Sequence, residues 1–134
     1  MSELYDDLDE LPPRPRKSIP AADRELLELA ARAIGAVRVD DVEGEEWLIL
    51  HFADGTVTHG WNPLLFYGDT FELQVRLRLQ VTPGTYLNDT ATAYAPDGVE
   101  AKEHIHYQQD MLTATSRAIV RAAAEIGNNV VKNS

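Results

Sequence analysis

The stretch "GDTFELQVRLRLQVTPG", residues 68–84, carries two conflicting structural patterns. From Phe71 to Val81 every odd position is apolar and every even position is polar or charged. That alternation is typical of a half-buried β-strand. The same stretch begins with Asp69 followed three residues later by Glu72, the spacing of a capping box at the start of a helix. On the residues alone the alternation favours a strand, and the start signal keeps a helix open.

The size and composition of the chain fit one globular domain. It has 134 residues, of which 44% are apolar, and no cysteine. The lack of thiols excludes disulfides, cysteine-ligated zinc and a cysteine nucleophile. The N-terminus lacks the pattern of a secretory signal, and no run approaches the roughly 18 apolar residues of a membrane span. We therefore expect a cytoplasmic protein.

The net charge restricts the partners that the chain can bind. It is −10, from 22 acidic and 12 basic residues, and a field of that sign repels nucleic-acid phosphates and anionic membranes. Direct binding to nucleic acid or to a membrane is therefore not expected. An acidic surface could instead dock on a basic partner as a nucleic-acid mimic. Clustered arginines still leave room for a local cationic site.

The chain divides into an arm and a domain. Residues 1–19 are predicted to form a disordered arm, because acidic residues repel one another there and prolines forbid helix and central strand. Four apolar residues lie among the acids, so the arm could also be a docking peptide: Leu4, Tyr5, Leu8 and Leu11. Residues 20–130 are predicted to form a single domain.

Periodicity outlines the elements of that domain. A helix is predicted over 20–35 with Gly35 as its cap, and three strands follow between residues 36 and 61. Asp54-Gly55 predicts a two-residue turn that pairs His51 with Thr58 and places His51 and His59 on opposite faces.

The C-terminal half is predicted to hold two more strands and a helix. Pro96-Asp97-Gly98 joins the strands "TATAYA" and "VEAKEHIHYQ". The last segment, "MLTATSRAIVRAAAEIGNN", reads as a helix that Gly127 can terminate.

Three blocks of the sequence resemble a family of small uncharacterised proteins of tailed phages and prophages, similar to the phage α-β-α sandwich domain. The blocks are "DRELLELAARAIG" (23–35), "WNPLLFYGDTFELQVRL" (61–77) and "ATSRAIVRAAAEIG" (114–127). The resemblance implies a helix from Asp69 to about Arg78 and a strand from Leu79. The order of elements along the chain suggests an α+β fold in which about three helices cover an antiparallel sheet. With the helix and strand that the resemblance implies at residues 69–81, the order is α-β-β-β-α-β-β-β-α. The family tends to have glycine or a small residue where Arg78 stands, and it is largely without assigned function.

The first candidate site is the Trp61-Asn62-Pro63 corner. Pro63 keeps Asn62 out of helical angles, and the Asn62 side chain can bond its own backbone in a turn. One interpretation is a structural corner with Trp61 in the core. The other is an aromatic platform, completed by Phe66 and Tyr67, on which a flat base could stack.

Charged and metal-ligating candidates lie elsewhere. Arg117 and Arg121 fall on one face of the last helix, either as a solvated surface or as a guanidinium pair that binds phosphate. His104 and His106 share one face of a strand and could form a metal pair, but the only candidates for a third ligand are Glu100, Glu103 and Asp110, so no metal site is expected. The sequence has no glycine-rich phosphate loop and no triad spacing, so it implies no cofactor and no catalytic residue.

These patterns predict a phage or prophage accessory protein that acts by binding rather than by catalysis. One ligand would be a nucleotide-like small molecule, sequestered in counter-defence inside the bacterial host cell. The alternative is an acidic protein-interaction module that inhibits a host protein. A hydrolase or metal enzyme ranks last. A free sheet edge can pair two copies, so a homodimer is a further expectation.

Overall fold

A computed structural model describes residues 18–83, 90–105 and 111–133. It confirms the predicted α+β class and the predicted order of elements. None of the described helices is long and apolar enough to cross a membrane. In chain order the elements are α1 (Ala21–Ala33), β1 (Ala36–Asp41), β2 (Leu48–Phe52), β3 (Val57–Trp61), α2 (Tyr67–Arg76), β4 (Gln80–Thr82), β5 (Thr90–Tyr94), β6 (Glu100–His104) and α3 (Met111–Lys132).

The described strands form two antiparallel sheets of three strands each. The first has the order β1-β2-β3 and the second the order β4-β5-β6. The sequence predicts a single sheet. Instead, β3 does not pair with β4. The Trp61-Asn62-Pro63 corner and α2 lie between these two strands in the chain, so the strands before and after them form separate sheets.

The core is built around α3 and is rich in alanine. This helix packs against α1 on one side and against β5 and β6 on another. Small side chains let these elements approach closely, because nothing beyond Cβ separates the backbones. The fully buried alanines are Ala30, Ala31, Ala91, Ala93, Ala118, Ala122 and Ala123.

The sequence predicts that Gly127 can end the last helix, but α3 continues past it to Lys132. The role of Gly127 is to allow contact with α1. A Cβ at Gly127 would stand 1.7 Å from the carbonyl oxygen of Leu29, far inside van der Waals contact. The glycine is therefore required by the packing of two helices and not by a chain reversal.

Residues 68–84 contain a helix at the position where their alternation indicates a strand. The helix α2 ends in a Schellman motif: the amide of Leu79 donates to the Gln74 carbonyl (2.9 Å) and that of Arg78 to the Val75 carbonyl (3.3 Å). Arg78 occupies the left-handed position of this motif, at φ +55°. Glycine adopts this conformation without steric cost, whereas a residue with a Cβ is strained in it.

The helix begins two residues earlier than the sequence predicts. Asp69 is not the N-cap; the N-cap is Phe66, and Tyr67 is the first helical residue. The earlier start arises because the turn after Pro63 is already closed by backbone bonds, with the Phe66 amide donating to the Asn62 carbonyl at 2.8 Å. The chain therefore enters the helix directly from the corner.

The β2–β3 hairpin has a three-residue loop rather than the predicted two-residue turn. The Gly55 amide donates to the Phe52 carbonyl at 3.0 Å, and Gly55 then takes φ +89°, which is a type I turn followed by a bulge. His51 consequently lies opposite Val57 and not opposite Thr58. This one-residue shift moves His51 to the same face as His59, because side chains alternate along a strand.

Candidate functional site

Asn62 holds the corner together. Its side-chain oxygen accepts the Leu64 amide at 2.9 Å, which confirms the predicted turn, and its side-chain nitrogen donates to the Glu46 carbonyl. The Asn62 amide donates to the Asp69 carboxylate at 2.9 Å. Burial raises the pKa of Asp69, against the opposing effect of that hydrogen bond. Through its side chain and its backbone amide, Asn62 thus ties a loop, a strand end and a helix start together.

The four predicted site residues of the corner do not lie together on the surface. Trp61 is 1% exposed and Asn62 is 5% exposed, so neither presents a face to solvent. The indole nitrogen of Trp61 has no hydrogen-bond partner among the described residues. Phe66 and Tyr67, in contrast, are exposed. In this conformation Trp61 belongs to the core, and of these four residues Phe66 and Tyr67 are the ones exposed to solvent.

The two candidate arginines are bound within the chain. Arg117 pairs with Asp23 of α1, with 3.2 Å between Nη2 and Oδ1. Arg121 donates to the carbonyl of Lys102 and to the carboxylate of Glu103, both at 2.9 Å. Arg121 thereby covers a backbone acceptor of β6, a strand at the edge of its sheet.

A cleft of about 180 Å³ lies beside the corner. Asp23 is part of its lining, so Arg117 is linked to the cleft through its ion-pair partner. Both charged residues that line it are acidic, and carboxylates repel a phosphate group. The predicted nucleotide site therefore stays a prediction that the cleft does not favour. The lining residues are Ser18, Ile19, Pro20, Asp23, Glu46, Asn62, Leu64 and Leu65.

An apolar surface lies on α2 and the residues just before it. Tyr67, Phe71 and Val75 follow one another at intervals of four residues, so they form one stripe along the helix. Their exposed fractions are 59%, 64% and 58%. Leu65 and Phe66 extend the stripe toward the cleft and are also exposed. We call these five residues the α2 surface.

Sequence reasoning missed this surface because the alternation suggested that Phe71 and Val75 were buried. On a helix their spacing of four is the relevant signal. The inward side of α2 is formed instead by Thr70 and Leu73. Leu73 is fully buried, whereas the Thr70 hydroxyl donates to the Pro63 carbonyl.

Two arginines lie at the C-terminal end of the α2 surface. Arg76 forms an ion pair with Glu72 at 3.3 Å, and its guanidinium lies 6.0 Å from the ring centre of Phe52. Arg78 is exposed and has no ion-pair partner among the described residues. This end of the surface is therefore basic, although the chain as a whole is acidic.

A charged cluster on the first sheet was not predicted. Arg38 and His51 both contact Asp40, with 2.8 Å between the Asp40 carboxylate and Nε2 of His51. The hydrogen bond from Arg38 lowers the pKa of Asp40 to about 2, and the bond with His51 acts in the same direction. The sequence signal that could have indicated this cluster is the spacing of Arg38 and Asp40 on one strand, with His51 opposite Arg38 on the next.

Within the described part of the chain this cluster is a network of three side chains centred on Asp40. A carboxylate-oriented imidazole can act as a general base. Among the described residues, the His51 side chain hydrogen-bonds to Asp40. No group of three metal-ligating side chains occurs in residues 18–83, 90–105 and 111–133. His106, one of the predicted histidine pair, lies outside the described residues.

A comparison with known proteins finds no matching family model, no matching curated protein and no matching solved structure. The resemblance to phage proteins therefore stays a prediction.

Proposed function

We propose that the chain is a phage accessory protein that acts without catalysis, by binding another protein through the α2 surface. The observation that carries the proposal is the exposed stripe of Tyr67, Phe71 and Val75. Single exposed apolar residues are common on soluble proteins, but a contiguous set on one helix face marks an interaction site.

The chemistry of the surface suits a protein partner better than a nucleotide. Aromatic side chains supply much of the binding energy in protein interfaces, and the surface has three: Phe66, Tyr67 and Phe71. Helix faces commonly bind in apolar grooves through residues spaced four apart. The predicted nucleotide site would need Arg117 and Arg121 as free cations, but both are held by carboxylates of the chain itself.

The test is a capture experiment with two matched variants of the full chain. Phe71→Ser removes the centre of the α2 surface, and Leu112→Ser is the control, because Phe71 and Leu112 are both 64% exposed. We expect wild type and Leu112→Ser to retain the same host protein from a bacterial lysate and Phe71→Ser to lose it. Circular dichroism checks that both variants are folded.

Equal capture by all three proteins would contradict the proposal. A thermal-shift screen with cyclic nucleotides and ADP-ribose derivatives tests the nucleotide alternative separately. A ligand at 100 times its Kd would add about 2.7 kcal/mol to the stability of its target. Such a shift, unaffected by Phe71→Ser, would favour sequestration of a small molecule instead.

A further inference from the structure

The N-terminal segment of this chain has the composition of a ligand for the α2 surface. We propose that residues 3–11, "ELYDDLDEL", bind the α2 surface of the same molecule and cover it until a partner displaces them. The inference rests on the proposed function in taking the α2 surface as a binding site, and it adds an occupant that regulates access to it.

The sequence of the segment complements the surface in shape and charge. Leu4, Leu8 and Leu11 have the spacing i, i+4, i+7 by which peptides present one apolar side to a binding surface. The intervening positions are largely acidic, with five carboxylates in nine residues. The α2 surface offers an apolar stripe that ends near Arg78, which pairs with no carboxylate among the described residues, so the acids of the segment meet opposite charge where the stripe ends.

The place where the described chain begins brings the segment to this surface. Ser18 lines the same cleft as Leu65, the first residue of the α2 surface. Six residues, 12–17, separate Ser18 from the segment. At roughly 3.1 Å per residue they can span ~19 Å, whereas a ten-residue helix such as α2 is only ~15 Å long. The segment can therefore reach the whole stripe.

The short tether favours binding within one molecule over binding between two. A short linker gives an effective concentration in the millimolar range. Even a segment with a weak affinity for the stripe would then occupy it most of the time. A second copy at ordinary protein concentrations would compete poorly.

The absence of cysteine allows a direct test with a single spin label. A nitroxide is attached to Ser2→Cys in the full chain, and amide signals of residues 65–76 are compared between the oxidised and reduced label. We expect these signals to lose most of their intensity in the oxidised state. Leu8→Ser in the labelled chain should restore the intensity, whereas Leu112→Ser should not.

A mixed sample distinguishes the occupants. Unlabelled isotope-enriched chain is combined with spin-labelled chain of natural abundance, and we expect no loss of signal. Loss in the mixed sample would assign the surface to a second copy and overturn the proposal. Full intensity at residues 65–76 in the labelled chain would also overturn it. Neither result affects the capture experiment with Phe71→Ser, so the proposed function can fail or stand independently.

Discussion

Because α1 and α3 pack closely at Gly127, we expect the substitution Gly127→Ala to destabilise the protein. Gly127→Ala replaces a poor helix former by the best one, which at a free helical position adds about 1 kcal/mol to stability. Here the new Cβ would stand 1.7 Å from the Leu29 oxygen and 2.6 Å from the Leu29 carbonyl carbon. Because a carbon–oxygen contact needs ~3.3 Å, the helices must separate by roughly 1.5 Å.

The expected magnitude follows from two opposing contributions. Overpacking a close contact costs about 1–3 kcal/mol and occasionally more, and a backbone neighbour cannot move aside as a side chain can. We expect a net loss of about 2 kcal/mol after the gain of about 1 kcal/mol in helix propensity. For a domain of this size the melting temperature would fall by roughly 8 °C.

Urea unfolding followed by tryptophan fluorescence measures the effect, because Trp61 is buried in the core. Asn129→Ala is the control: Asn129 lies on the exposed side of α3, so a gain in propensity of at most ~0.7 kcal/mol comes without a clash. We expect the control to be slightly more stable than wild type. A Gly127→Ala protein that is more stable than wild type would refute the close approach of the two helices.

Three further predictions concern single residues. Arg78→Gly should raise the free energy of unfolding by about 0.5–1 kcal/mol, because relief of ~1–2 kcal/mol of left-handed strain exceeds the entropy that glycine loses on folding. Arg78→Ala keeps a Cβ and should give no gain. Urea unfolding measures both variants. Asn62→Ala should cost about 3 kcal/mol in the same assay, since it leaves the Leu64 amide and the Glu46 carbonyl without partners. Asp40 has a pKa lowered from 3.8 to about 2, so its contribution to stability is complete above 3.8 and is lost as the pH falls through about 2. A carboxyl carbon NMR titration of Asp40 with a midpoint at or above the ordinary value would contradict the ion pair.

Much of the fold could be predicted because local signals and packing agree. The first helix ends at its glycine cap, with Gly35 at φ +99°. The second predicted hairpin also forms, and Gly98 takes φ +96° in its loop. In both places one residue determines the backbone conformation, and no distant contact is needed to explain it.

The secondary structure of residues 68–84 could not be predicted from their own alternation of apolar and polar residues. Alternation indicates which side chains would share a face of a strand, but it does not show that a sheet is available to pair with them. The helix forms because the corner closes its first turn and Leu73 fills the core. Phe71 and Val75 are then left on the outside, an outcome that no rule of burial by hydrophobicity predicts.

The candidate site was predicted less well than the fold for a related reason. Residue type indicates what Arg117 and Arg121 could bind, but their acidic partners come from α1 and β6, which are remote in sequence. Likewise, the shifted register of His51 depends on the conformation of Gly55. Such features require the tertiary structure.

The most direct test of the account is the set of carbon chemical shifts along residues 67–82. We predict helical shifts from Tyr67 to Arg76, a left-handed value at Arg78 alone, and strand values from Gln80 to Thr82. Continuous strand shifts from residue 71 to residue 81 would contradict the account. They would remove both the helix and the exposed stripe on which the proposed binding depends.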